Sequence, residues 1–394
     1  MYLWTSEAVA AGHPDKVADQ IADAVLDAYL AVDPLSRVAC EVTLTTDPET
    51  NRGLVLVTGE ITSDAKPNIE GIVRSVLSDI GYDRDENSFN CDTVDILNKI
   101  KKQSPIIAQA VTRDGTELGA GDQGIMFGYA TNETSNFMPL PHAIAFEAIR
   151  LIEADIEVGR QGEDWLSPFL PDAKAQATIL FNEVGRAIAV DSVLISACHR
   201  SDVSLADLKF YVEDRVIKHI KNGQSGHLIN DQTKWIINPA GEWSFGGPAA
   251  DTGLSGRKIV VDNYGADCPV GGGSFSGKDP TKVDRSGAYA ARHLAKNIVA
   301  AKFCNKCQVQ IAYAIGVVEP VSVRIQILAD DSPVKNTQED YLSNFIQKNV
   351  SLSPKGIIDR FQLRRPIYRQ TASGGHFGNP SFPWEQLDLD LGVK

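Results

Sequence analysis

Apolar positions recur along the chain at helical and strand spacings, and their alternation outlines one unit used three times. In the first, Val17, Ile21, Ala24, Val25 and Ala28 form the stripe of a helix opened by His13-Pro14-Asp15. β-rich runs at 38–45 and 54–61 follow, then a helix over 68–80 with Asn68 as cap and Gly81 as stop. The second unit reads as a helix near 142–154, strands at 176–181 and 187–196, and a helix over 205–220 capped by Ser204. The third reads as a helix over 283–301, strands at 308–317 and 321–328, and a helix over 339–350. A short strand is expected at 259–261. Three sheets, each covered by two helices, make the simplest α+β reading. Sequence identity between the units is negligible.

The unusual composition lies between these elements. Residues 103–124 hold little regular pattern, and 238–286 are dense in glycine, with Gly246-Gly247-Pro248 and Gly271-Gly272-Gly273. Long irregular segments in a compact protein carry function more often than not. Gly272-Gly273-Ser274-Phe275-Ser276-Gly277-Lys278-Asp279 matches part of a P-loop but ends in Asp where Ser or Thr would hold magnesium. No apolar strand leads directly into it, which argues against a true P-loop nucleoside triphosphatase. Its physics still suits phosphate: glycines admit backbone N–H groups, a helix N-terminus follows, and Lys278, Lys282 and Arg285 cluster beside Asp279 and Asp284. A solvated glycine turn before a helix would look the same.

Asp251-Thr252-Gly253-Leu254-Ser255-Gly256-Arg257-Lys258 adds an adjacent Arg and Lys at a second glycine turn, a planar fork beside a point charge. Alone, such a dipeptide is usually solvated surface. In Gly12-His13-Pro14-Asp15-Lys16, Pro14 fits the first helical position and Asp15 complements the dipole. The functional reading makes Asp15 a hard oxygen ligand for Mg²⁺ and His13 a donor to phosphate. Asp15, Asp19, Asp23 and Asp27 share one face at i+4 spacing, a like-charge ladder that solvent or cations must face. Gly119-Ala120-Gly121-Asp122-Gln123-Gly124 reads as a tight polar turn.

Net charge and cysteines narrow the class. A formal charge of −13 argues against nucleic acid or an anionic membrane as partner, while a local cluster of cations can still hold a small anion. No run approaches the length of a membrane span, and the N-terminus lacks signal-peptide character. The six scattered cysteines read as reduced thiols in a cytoplasmic enzyme, Cys304-Asn-Lys-Cys307 having no second pair or zinc-spaced His.

Taken together, 12–16, 119–128, 172–174, 253–262 and 271–301 resemble the S-adenosylmethionine synthetase family, also called methionine adenosyltransferases. The run Ser276-Gly277-Lys278-Asp279-Pro280-Thr281-Lys282-Val283-Asp284-Arg285-Ser286 is specific to it, and order and spacing agree from Thr5 to Gly375-His376-Phe377-Gly378 and Phe382-Pro383-Trp384-Glu385. The resemblance implies three similar α+β domains with pseudo-threefold symmetry, each a small mixed sheet covered by helices on one face. It divides the chain into 1–102, a gate loop and linker at 103–117, 118–243 and 244–394. It implies joining ATP to L-methionine with release of tripolyphosphate, itself cleaved to pyrophosphate and phosphate. A thioether sulfur needs no general base, so the catalytic burden falls on cations at the leaving group.

By the same resemblance His13, Lys174, Arg257, Lys258 and Lys278 contact tripolyphosphate or ATP, with Ser274 beside them, and Trp243 stacks on adenine. Glu60, Gln103, Asp251 and Lys282 look like methionine-site residues, Asp251 also reaching the nucleoside. The catalytic set is then His13, Lys174, Arg257, Lys278 and Lys282. Asp15 and Asp284 would hold Mg²⁺, two ions per site, and Glu41 K⁺. Active sites between two subunits imply a homodimer or a dimer of dimers. The chain departs from the family at Ala11, where Glu is usual, at Ile106 and Ala108 in the gate, and at Ser274, where Ala is common. Two rivals stay open: a kinase or ligase, and a catalytically weak homologue acting as a regulatory or binding subunit.

Overall fold

The computed structural model describes residues 1–84, 89–102, 112–113, 117–160, 167–328 and 335–392. From the N-terminus come strand β1 (Tyr2–Val9), helix α1 (Pro14–Val32), β2 (Arg37–Thr46), β3 (Gly53–Thr62), helix α2 (Ile69–Ile80) and β4 (Asp95–Lys101). A two-residue ribbon, β5 (Thr112–Arg113) with β6 (Glu117–Leu118), precedes β7 (Gly124–Thr131) and the helix Leu140–Arg160. Then follow β8 (Phe169–Phe181), β9 (Ala187–His199), the helix starting at Leu205, β10 (Lys234–Ile237) and β11 (Gly253–Leu254). Last come the helix Val283–Ala300, β12 (Lys306–Tyr313), β13 (Ser322–Ile327) and the helices Lys335–Asn349 and Pro354–Phe361.

Local chemistry fixes the main ends. Asn68 accepts the Gly71 N–H to cap α2, and Gly81 closes it in the left-handed region at φ 113°. Ser204 caps its helix through Asp207 N–H, as expected, but that helix passes through a π turn at Glu213–Ile217 before ending at Asn222. The strand expected at 259–261 is instead a helical turn, Ile259–Asp262, closed by Asp262 N–H on Lys258 C=O. The extended residues lie earlier, at Gly253–Leu254, which pair with Leu44 and Thr43. The last two strands of the third unit are shorter than expected, and its final helix starts at Lys335.

Three α+β layers result, and each recruits one strand from elsewhere in the chain. Sheet order β11-β2-β3-β4 takes β11 from far downstream, β1-β8-β9-β10 takes β1 from the N-terminus, and β13-β12-β7 takes β7. The strand preceding each unit's first helix thus pairs antiparallel in a neighbouring unit's sheet, and the exchange closes a ring of three. Such an exchange gives the three units a cyclic relation. The first two sheets are mixed, since β4 and β10 join them in parallel; the third is wholly antiparallel. Alternation along β2, β12 and β13 turns one face of each strand onto helices and core. No helix among the described residues is long and apolar enough to cross a membrane.

Candidate active site

Helix α1 organises the site because its acidic ladder is not a solvated face. Each carboxylate takes backbone N–H groups from a distant segment, Asp15 and Asp19 from one turn and Asp23 and Asp27 from two others. Asp15 accepts Leu254 N–H at 3.0 Å and Asp19 accepts Gly256 N–H at 2.8 Å. Asp23 accepts Gly277 N–H at 2.8 Å, and Asp27 accepts Tyr368 and Arg369 N–H at 3.0 and 2.8 Å. Cations complete the set: Lys258 on Asp15, Lys16 on Asp19, and Arg285 bidentate on Asp23 at 2.6 and 2.7 Å. Lys16, Asp19, Asp23 and Arg285 have no exposed surface. The two glycine-rich turns that composition singled out are therefore pinned side by side along one helix.

Around the start of α1 lies the first group of candidate residues. Register places Val9 opposite Lys174, so β1 delivers the chain to the Gly12–Asp15 turn next to that lysine. His13 Nδ1 accepts Asp15 N–H at 3.2 Å, leaving the ring proton on Nε2. Burial, with Lys258 and Lys174 nearby, pushes the His13 pKa down to about 3, so the ring is a neutral donor at any physiological pH. Burial works against ionised Asp15, yet the Lys258 bond at 2.5 Å and the Leu254 N–H hold it below its ordinary value. Arg257 lies 3.9 Å from the same carboxylate with its side chain 57% exposed, free to reach a ligand.

The loop carrying Trp243 and Asp251 joins this group through Asp172, whose Oδ2 accepts Gly247 N–H at 2.9 Å. Trp243 N–H bonds His199 Nε2 at 3.1 Å, and its indole N–H bonds Phe245 C=O at 3.0 Å, with Gly246 packed against the ring. Burial raises the Asp172 pKa to about 6, and its Oδ1 has no hydrogen-bond partner among the described residues. An orphaned acceptor beside Lys174, Lys258 and Asp251 suits a donor from a ligand. The motif Asp172-Ala173-Lys174 gave the only sequence signal for this acid.

A second group sits where Gly277 meets Asp23, eight residues and about 12 Å along the helix from Asp15. Lys278 Nζ bonds Asp284 Oδ2 at 2.6 Å, each side chain about one-fifth exposed. A side chain at Gly273 would sit 2.9 Å from that Nζ, which is why backbone alone closes over the pair. Lys282 is bound to buried Asp279, which accepts Val38 N–H at 2.8 Å. Ala39 bridges Lys278, tying the turn to β2, whose outward face carries exposed Glu41 with Ser255 Oγ on its Oε2 at 2.7 Å. Glu60, across β2 on β3, pairs with Lys101 at 3.1 Å. Ser274 packs against Gly256 and so links the two groups. Gln103 lies outside the described residues.

Gly277 has φ +80°, and a Cβ there would stand 2.0 Å from Cys40 C=O. Gly277→Ala is expected to cost about 1 kcal/mol or more and to displace Lys278, read as a lower Tm together with lower turnover.

No cluster of three metal-ligating side chains exists among the described residues. Asp15 and Asp284, each an ionisable carboxylate already holding a lysine, fit a cation of the Mg²⁺ kind. Such an ion takes one or two carboxylates and fills its remaining positions from phosphate and water. Neutral and cationic donors from distant segments, flanked by two such carboxylates, have the chemistry to hold a polyanion carried with a divalent cation.

Comparison with known proteins gives the family. The N-terminal, central and C-terminal domain profiles of S-adenosylmethionine synthetase match residues 1–105, 117–243 and 245–386. The S-adenosylmethionine synthase of Desulforudis audaxviator (strain MP104C) is 47% identical over 400 residues, covering 98% of this chain and 96% of the relative. The chain belongs to the S-adenosylmethionine synthetase family, and it is a transferase built on that family's three domains.

Proposed function

We propose that the enzyme joins ATP and L-methionine to form S-adenosylmethionine. The methionine sulfur attacks C5′ of ATP and tripolyphosphate leaves, to be cleaved to pyrophosphate and phosphate. The convergence of His13, Lys174, Arg257 and Lys258 around Asp15 is the observation that carries this reading. Sulfur supplies its own lone pair and carries no proton. What the site must provide is charge compensation where negative charge accumulates on the departing oxygen, and alignment of sulfur, carbon and oxygen.

His13 gives a neutral N–H to that oxygen. Lys174, Arg257, Lys258 and Lys278 hold the phosphates, and the same cations serve the later phosphoryl transfer. Trp243 offers a ring face to adenine, with Asp251 toward nucleoside and methionine. Glu60, Gln103 and Lys282 complete the methionine side. Mg²⁺, two ions per site held by Asp15 and Asp284, neutralises phosphate charge when bound, and K⁺ is assigned to Glu41. Because Glu41 and Glu60 lie on the outward face of β2 and β3, a second copy of the chain, as a homodimer or dimer of dimers, is the simplest way to enclose the second group. We take domain limits of 1–102, 118–243 and 244–394, with 103–117 as gate, and place the reaction in the cytoplasm, which suits six unpaired thiols.

Purified protein with ATP, methionine, Mg²⁺ and K⁺ should form a sulfonium product plus equimolar pyrophosphate and phosphate. ADP or AMP instead would favour a kinase or ligase, and binding without turnover a regulatory subunit. Chelation of Mg²⁺ should abolish turnover and its return restore it; turnover that persists in chelator would remove Asp15 and Asp284 from the metal role. Since His13 is neutral from about pH 4 upward, His13→Asn should leave the pH optimum between 6 and 8 unmoved while lowering kcat.

A further inference from the structure

The turn that presents His13 is held at every peptide, and two of its holders come from outside the site. Ala10 N–H bonds Ala173 C=O, His13 N–H bonds Ala10 C=O, and Tyr82 O–H bonds Gly12 C=O at 2.5 Å. Gly12 itself packs so tightly on Pro171 that a Cβ would come within 2.3 Å. The remaining peptide is that of Ala11, whose own side chain offers no polar group. Its N–H is taken by Glu153 Oε1 at 2.7 Å and its C=O by Gln20 Nε2 at 2.7 Å. Glu153 comes from the helix Leu140–Arg160, and Gln20 from α1, where its amide also bonds Lys16 C=O at 3.0 Å.

We propose that Glu153 and Gln20 are positioning residues for His13, clamping the Ala11 peptide from both sides so that the imidazole N–H keeps its aim. The inference rests on the proposed role of His13 at the polyphosphate. The Glu153 carboxylate is half-buried, and taking a carboxylate partly out of water is costly unless it makes a bond that an apolar side chain could not. Here the bond reaches a backbone N–H two residues from the donor, so a small rotation of the Ala11 peptide would swing the ring. Misplacement of a donor by about 1 Å is worth on the order of a hundredfold in rate.

Burial also raises Glu153 to about 7, with Arg150 on the same helix opposing the shift. Its hydrogen bond is to the Ala11 N–H, whose C=O is held by the neutral Gln20 amide. Further along the helix Asp155 is satisfied by Arg215, and Glu147, raised by burial, lies beside Arg150 and His219. Protonation therefore trades a charge-assisted grip on Ala11 for a weaker one as pH falls through 7.

Glu153→Gln keeps an oxygen acceptor and loses the titration; Glu153→Leu loses both. Glu153→Leu should lower kcat by about tenfold or more with the KM for methionine little changed, and Glu153→Gln should recover most of it. The Glu153→Gln profile should also flatten the fall in kcat between pH 7.5 and 6. Should Glu153→Leu fail to fold, Gln20→Leu tests the opposite side of the clamp, with the same split expected. Wild-type kinetics in both leucine variants, or equal impairment in the Gln and Leu forms of position 153, would overturn the proposal. Tripolyphosphate affinity by calorimetry reads the same contact without turnover: loss in Glu153→Leu but not Glu153→Gln supports the clamp, and equal affinities contradict it. A wild type that neither turns over nor binds tripolyphosphate would overturn the functional reading itself, and the clamp with it.

Discussion

Lys278→Ala should lower kcat by about 10²–10³-fold, the worth of one preorganised charge at a developing anion, while leaving the protein almost as stable as before. The two halves of that expectation have separate causes. Lys278 and Asp284 are paired but each is about one-fifth exposed, so water can take over Asp284 once the amine is gone. The loss of rate is expected because, among the described residues, no other amine pairs with that carboxylate: Lys282 is already committed to Asp279. Steady-state formation of S-adenosylmethionine, with a thermal melt on the same sample, checks both. A rate within threefold of wild type would remove Lys278 from the catalytic set.

Asp23→Ala is expected to have the opposite signature, a loss of about 3–5 kcal/mol of stability. Arg285 would be left fully buried with its bidentate partner gone, and Gly277 N–H would lose its acceptor. The tyrosine ring of Tyr368, 4.2 Å from the guanidinium, cannot replace a carboxylate. Urea denaturation measures the loss. Adding Arg285→Met to Asp23→Ala should return part of it, since an apolar side chain needs no partner; a single-variant loss under about 1 kcal/mol would mean that water reaches the pair.

The contrast between these two variants explains what could be read from sequence and what could not. Asp15, Asp19, Asp23 and Asp27 are identical by spacing, and spacing says only that something must neutralise them. Whether the neutraliser is a partly exposed lysine, as at Asp15, or a buried arginine, as at Asp23, depends on segments more than two hundred residues away. The helices α1, α2 and Val283–Ala300 were legible because apolar periodicity, and at α1 and α2 a capping side chain, are local signals. Strands β1, β7 and β11 were not, since each pairs in another unit's sheet and its partners are distant in sequence. Ile259–Asp262 misled for a related reason: three β-branched residues suggest a strand, but the adjoining turn already gives β2 its edge through Gly253–Leu254.

Arg257, Lys258 and Lys278 were visible as residues at glycine turns, and net charge of −13 did not hide them, whereas Lys174 on β8 came only through the family resemblance. Their grouping was less legible. Lys174, Arg257 and Lys258 gather with His13 at the start of α1, while Lys278 stands with Asp284 about two helical turns away. Nothing in the linear order separates these sets, because 257–258 and 278 lie in one glycine-rich stretch.

That separation makes the shared-site reading directly testable by complementation. Arg257→Ala carries a damaged first group and Lys278→Ala a damaged second. If one copy supplies the first group and its partner the second, mixing the two inactive proteins under subunit exchange should restore about a quarter of wild-type activity, from the one intact site in each mixed dimer. A mixture no more active than either parent would contradict the claim that each site draws its two groups of cations from different subunits.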